Sequence, residues 1–299
     1  MLNHGIMSTP LKLLLMLLAA ALLLVTMAAC APLKAIDALT PRDTYVLTED
    51  ISYGADPRDR IDIYTPAGAK GPAPVVVFFY GGSWNSGSRK EYRFVGEALA
   101  ARGIVTVIAD YRLYPQVRYP DFLVDCGAAV AWTAREIPRY GGDPKRLFVM
   151  GHSAGAYNAA MVALDARWLG KAGMSPAMLR GWIGLAGPYD FIPIKDENVR
   201  PVFFFPNTPP ESQPINHVTA QAPNSLLIAS SKDNLVDPAR NTGGLSAKLQ
   251  QAGVPVETMY FDGTSHASLV ASLARPLRGL APTLERVVGF IDSDGGRMK

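Results

Sequence analysis

The run Leu147-Phe148-Val149-Met150-Gly151-His152-Ser153-Ala154-Gly155-Ala156 constrains this chain more than any other segment of its length. Four apolar residues suited to a buried strand lead directly into Gly-x-Ser-x-Gly, and Ala156 to Leu164 continues in helix formers. A strand that passes straight into a helix must turn sharply at Ser153. At so tight a turn a Cβ on Gly151 or Gly155 would strike the neighbouring strand or helix, so both glycines are a geometric requirement. The turn raises the Ser153 hydroxyl above a helix N-terminus, which favours negative charge there.

The rest of the chain repeats the strand-to-helix order. Apolar, β-branched and aromatic segments occur at Pro74–Tyr80, Ile104–Ala109, Leu147–Met150, Trp182–Ala186, Leu226–Ala229 and Val256–Phe261. Arg60–Tyr64 alternates in period two, as a half-buried antiparallel strand does. Helix-like stretches separate them at Tyr92–Ala101, Pro120–Ile137, Ala154–Leu164, Pro238–Gln251 and Pro276–Ile291. This alternation predicts an α/β fold with a mostly parallel central sheet flanked by helices on both faces. Right-handed crossovers bring the loops after Tyr80, Met150, Ala229 and Phe261 to one sheet edge, where such folds bind ligands. A chain of 299 residues, 48% hydrophobic, has core enough to dispense with staples. The net charge of +3 is spread without a Lys/Arg run, which excludes a nucleic-acid footprint.

The N-terminus reads as an export signal rather than as fold. Lys12 precedes the apolar run Leu13–Met27, which is shorter than the roughly 20 residues a membrane span needs. Met27-Ala28-Ala29-Cys30 places small residues just before a cysteine, as in a bacterial lipobox. The expected organisation is a lipoprotein signal over 1–29, a tether over 30–44 and a catalytic domain over 45–299. Acyl chains on Cys30 would hold an exported protein on a membrane, facing the periplasm. The remaining cysteine, Cys126, sits on a helix-like face and reads as a small buried hydrophobe.

Ser153 needs a base to take its proton. There are four histidines. His4 lies in the signal; His152 is in the turn, where its side chain is expected to point away from Ser153; His217 precedes the strand Leu226–Ala229. His266 follows the last strand, on the edge where Ser153 lies, and is the expected base. The acid that orients it should follow Leu226–Ala229. Asp233 comes first there; Asp237 precedes Pro238 and suits a helix N-cap. Asp262 is close to His266 in sequence and is the remotest of the three. Acyl transfer also needs N–H donors aimed at a developing oxyanion. Ala154, next to the nucleophile, supplies one; the glycine-containing loop Gly81, Gly82, Ser83 supplies another, with the choice among the three open.

Taken together, Tyr80-Gly81-Gly82-Ser83-Trp84, Asp110-Tyr111-Arg112-Leu113, Gly141-Gly142-Asp143-Pro144, Gly151-His152-Ser153-Ala154-Gly155, Asp233-Asn234-Leu235-Val236 and Gly263–His266 resemble the α/β-hydrolase fold carboxylesterases. The resemblance is to bacterial esterases related to hormone-sensitive lipase and to the kynurenine formamidases, over about Tyr45 to Ile291. It implies cofactor-free, metal-free cleavage of small-molecule esters through an acyl-enzyme. Two positions depart from the lipase branch: Tyr80 stands where that branch has His, and His152 where it has Asp. Phe191, Phe204 and Phe205, in the segment before Leu226, are expected with Trp84 to line a pocket for short acyl or aryl groups. The alternatives are an aryl formamidase, a peptidase and a non-catalytic lipid-anchored binding module.

Overall fold

The computed structural model describes Met16 and residues 36–69 and 71–296. Residues 1–15 and 17–35, and with them the signal and lipobox reading at Cys30, lie outside the described residues. Among the described residues no helix is long and apolar enough to cross a membrane.

Among the described residues eight strands form one sheet: β1 (Tyr45–Ser52), β2 (Arg60–Pro66), β3 (Ala73–Phe79), β4 (Val105–Ala109), β5 (Gly142–His152), β6 (Gly181–Leu185), β7 (Ser225–Ser230) and β8 (Val256–Phe261). Their spatial order is β1-β2-β4-β3-β5-β6-β7-β8. The pairs β1/β2 and β2/β4 are antiparallel, and every pair from β4 through β8 is parallel. The central strand β3 is buried at every residue. It must be, because parallel strands covered on both faces carry continuous apolar runs. Val77 sits in register with Val107 on one side and Val149 on the other.

The α-helices that lie wholly among the described residues 36–296 are α1 (Arg93–Ala100), α2 (Asp121–Glu136), α3 (Ala154–Leu164), α4 (Ala166–Lys171), α5 (Gly244–Gln251), α6 (His266–Ala271) and α7 (Thr283–Asp292). Each residue of α3 is buried. That explains its composition, since a helix enclosed on all sides is apolar all round.

The structure differs from the sequence reading at several elements. β1 was not expected, because its burial alternates irregularly and it lacks an apolar run; pairing with β2 holds it as an edge strand. The segment expected as one helix at 276–291 is a tight turn of helix over Arg275–Leu280 followed by α7. Pro282 stands at the break, where it cannot donate a helical N–H. The expected helix from Pro238 begins as a wide turn over Ala239–Gly243 and becomes α-helical only at Gly244. The short helices α4 and α6 had no sequence counterpart. Cys126 is a free, buried thiol on α2, and burial pushes its pKa well up.

Candidate active site

The carboxyl ends of β3, β5, β7 and β8 bring four loops to one edge, and Ser153 occupies the tightest of them. Its backbone takes φ 54 and ψ −123, a conformation L-residues rarely adopt. A Cβ on Gly151 would come within 2.1 Å of the Gly155 carbonyl oxygen, and one on Gly155 within 2.0 Å of the Phe79 carbonyl oxygen. The turn therefore closes only with glycine at both positions. Ser153 N–H donates to the Leu185 carbonyl at 2.9 Å, which fixes the elbow to β6.

Three side chains from three loops meet in a line. Ser153 Oγ lies 2.8 Å from His266 Nε2. His266 Nδ1 lies 2.7 Å from Asp233 Oδ2. The other carboxylate oxygen, Oδ1, accepts the N–H groups of Leu235 and Val236, each at 2.9 Å. Burial pushes the Asp233 carboxyl up, but hydrogen bonds from His266, Val236 and Leu235 outweigh it and hold the group below its ordinary value. His266 is the first residue of α6, whose start is fixed by reciprocal bonds between Ser265 and Ser268. Ser230, at the end of β7, donates to the Thr264 carbonyl and ties this loop to the one carrying Asp233.

The other candidates lie apart from this line. Asp237 accepts the N–H groups of Ala239 at 3.0 Å and Arg240 at 3.1 Å, as an N-cap does. Asp262 pairs with the Ser231 hydroxyl. His217 is held by the Glu211 carbonyl at 2.7 Å. His152 takes no place in the line; its Nε2 lies 3.0 Å from the His266 backbone carbonyl oxygen.

The loop after β3 is shaped by three consecutive residues of positive φ: Gly82 (127), Ser83 (50) and Trp84 (57). The run closes as a tight turn, in which the N–H groups of Asn85 and Ser86 donate to the Gly82 carbonyl at 3.0 and 3.1 Å. Burial pushes the neighbouring Tyr92 phenol up to about 12, with the Gly81 backbone opposing the shift. The loop rests on a buried polar network. Tyr80 Oη donates to Asp110 Oδ1 at 2.8 Å and receives Arg58 Nη2 at 2.7 Å. Arg89, buried, binds Asp110, Asp62 and Asp50. Tyr111 Oη donates to the Tyr80 carbonyl at 2.7 Å. Burial pushes the Tyr80 phenol well up, so it stays a donor.

The pocket residues expected from the sequence divide into two groups. Trp84 and Phe191 stack at 6.2 Å between ring centroids. Phe204 and Phe205 do not join them: each is 41% exposed, with Arg118 over one ring and Arg200 over the other. Phe204 takes φ 58 at the end of a helical turn, and this directs consecutive rings to opposite sides. Their place is taken by Phe203, which is fully buried and lies 4.8 Å from Trp84. Sequence reasoning missed Phe203, Tyr157 and Asn158. Tyr157 packs edge-on to Trp84 at 5.0 Å, and Asn158 Oδ1 accepts the Trp84 indole N–H at 3.0 Å. The spacing of Tyr157 and Asn158 from Ser153, one helical turn, was the available signal. A hollow lined by Asp43, Pro66, Gly71 and Gly103 lies at the other end of β3 and has no part in this arrangement.

A doubly wound sheet with a serine elbow, a histidine and a buried aspartate at its carboxyl edge defines a serine hydrolase of the α/β-hydrolase class. The BD-FAE family model matches residues 61–249, and the chain belongs to that family. It is 31% identical over 267 residues to a probable isoprenylcysteine alpha-carbonyl methylesterase from Oryza sativa subsp. japonica, covering 82% of this chain and 62% of that one. The chain spans 52–63% of the length of the plant methylesterases it matches. Among solved structures, a bacterial heroin esterase superposes with a TM-score of 0.71 at 25% identity, over 88% of this chain and 90% of that one. Esterase B from Lactobacillus rhamnosis shares the fold with a TM-score of 0.73 at 18% identity, over 93% and 97% of the two chains.

Proposed function

We propose that this protein hydrolyses small carboxylic esters through an acyl-enzyme on Ser153. The observation that carries this reading is the unbroken line Ser153–His266–Asp233, with contacts of 2.8 and 2.7 Å. In it, His266 Nε2 takes the Ser153 proton as Oγ attacks the ester carbonyl carbon, and the same nitrogen returns it to the departing alcohol oxygen. Water then repeats the sequence on the acyl-enzyme and releases the acid. Asp233 holds the Nδ1–H tautomer and stabilises the imidazolium formed in each half. The N–H of Ala154, with an N–H of the Gly81–Ser83 loop, receives the oxyanion. The closed cluster of Trp84, Phe191, Phe203 and Tyr157 beside the elbow favours short acyl groups.

The reading is tested by turnover of p-nitrophenyl esters of graded acyl length beside N-formylkynurenine, with an organophosphonate label mapped by mass spectrometry. Ester turnover and a label on Ser153 are expected. Preference for the formamide would move the substrate class to aryl formamides, and a label elsewhere would overturn the nucleophile. The proposed anchor at Cys30 is tested separately: Cys30→Ser should release the protein from membranes or block its maturation, and a normally cleaved, membrane-bound variant would refute it.

A further inference from the structure

One buried imidazole beside the Ser153–His266–Asp233 line has no role in the chemistry above. His152 ends β5, immediately before Ser153, and is 5% exposed. Its Nε2 lies 3.0 Å from the backbone carbonyl oxygen of His266. A carbonyl oxygen only accepts, so Nε2 carries the proton and Nδ1 is bare. Nδ1 is itself buried without a hydrogen-bond partner. It faces the loop after β3, where a Cβ on Gly81 would stand 3.1 Å away. The His152 and His266 ring centroids are 5.0 Å apart. One ring thus touches the base's own backbone and the loop that carries the oxyanion donors, and it is covalently joined to the nucleophile.

We propose that His152 is a positioning residue that holds the His266 backbone, and through it the base, in register with Ser153 and the Gly81–Ser83 loop. The inference rests on the ester-hydrolase reading. Its physical basis is the slightness of the other supports of His266. The base sits at the first residue of a six-residue helix, α6, anchored by its own Ser265/Ser268 cap and by Ser230 through Thr264. None of these reaches the elbow; the His152 N–H does. Burial, with the nearby His266, lowers the His152 pKa to about 3, so the ring remains an uncharged donor. That neutrality matters when His266 becomes imidazolium: a second cation 5.0 Å away would oppose the charge, whereas a neutral donor leaves it to Asp233.

The test compares the wild type with His152→Leu, which removes the donor, and His152→Gln, whose amide N–H reaches about the position of Nε2. With p-nitrophenyl butyrate, H152L should lose kcat by roughly 10- to 100-fold, with KM within about twofold, because small misplacements of catalytic groups cost this much. The downfield NMR resonance of the His266 Nδ1–H should broaden or shift in H152L, and both rate and resonance should return in H152Q. Unchanged kcat and resonance in H152L, or a Gln variant no better than Leu, would overturn the proposal. If H152L does not fold, 15N spectra of histidine-labelled wild type decide: a neutral Nε2–H ring at neutral pH supports it, and an Nδ1–H tautomer or an imidazolium refutes it. A wild type inert toward esters would instead sink the functional reading, while the same spectra still judge the placement of His152.

Discussion

Tyr80 donates its hydroxyl to Asp110 across 2.8 Å of buried space, directly beneath the loop that carries the oxyanion donors. The same hydroxyl receives a bond from Arg58 and its ring stacks on Tyr111 at 4.9 Å. A phenol therefore anchors this loop. Tyr80→Phe keeps the stacking and deletes the bond. It leaves Asp110 and Arg58 short of a partner in a buried network, which should cost about 1–3 kcal/mol in urea unfolding. With the loop in its proposed role of presenting N–H groups to the transition state, kcat should fall more than KM rises. Equal activity in Y80F would show that the loop holds its shape without this anchor.

The two aspartates after β7 separate cleanly by environment. Asp233 meets His266, and Asp237 caps the turn at Ala239. Asp233→Asn should lower kcat by about 10⁴, since an amide favours the wrong tautomer of the base. Asp237→Asn should leave kcat near wild type and stability within about 0.5 kcal/mol, because Asn caps as well as Asp. Steady-state kinetics of the two variants in parallel check this, and a reversed order would assign the acid to Asp237.

Much of this site was legible because its chemistry needs residues at fixed places along the strand order. Gly151, Ser153 and Gly155 are dictated by a turn that closes on backbone atoms, and such a constraint is visible in any sequence that carries it. His266 and Asp233 follow from which strands end at the catalytic edge. The aromatic partners were less legible. Phe203, Phe204 and Phe205 are identical residues in a row, and only the left-handed turn at Phe204 decides which ring goes inward. β1 and α6 were missed for a related reason. Their stability comes from the sheet edge and from the serine cap, not from apolar periodicity. The contact of the His152 side chain with the His266 backbone had no signal in the sequence, because it joins residues brought together only by the fold.

Acid should weaken the fold through His152. Its native pKa is about 3, against an ordinary 6.5, because burial disfavours the charged ring. Above pH 6.5 neither state is protonated and the group contributes nothing. Below it the unfolded chain takes up a proton that the native ring refuses, so stability falls by up to about 1.4 kcal/mol per pH unit until the native ring itself titrates near 3. Asp233 acts in the same direction lower down: its depressed native pKa contributes stability above its ordinary 3.8, lost as pH falls through the native value. Urea unfolding from neutral pH to about pH 4 should show this slope in the wild type and a flatter one in H152Q. Parallel slopes would place the acid sensitivity elsewhere.

The acyl-length preference should be set by Phe203. Its ring is enclosed by Trp84 at 4.8 Å, Phe191 at 5.2 Å and Tyr157 at 5.5 Å, edge to face. Each added methylene that finds room contributes about 0.8 kcal/mol, and each that meets packed rings costs about 1–3 kcal/mol. Activity on p-nitrophenyl esters should peak near the butyrate and fall steeply beyond the hexanoate. Phe203→Ala would open the cluster and move the peak to longer chains, while losing about 3–5 kcal/mol of stability through the cavity it leaves. Phe204→Ala and Phe205→Ala should leave the profile in place, since those rings face solvent beneath Arg118 and Arg200. A wild-type optimum at the decanoate, or a shift produced by F204A and not by F203A, would show that the acyl chain lies outside this cluster. The triad assignment would be untouched by either result, because Ser153, His266 and Asp233 are held by the elbow and the two loops after β7 and β8.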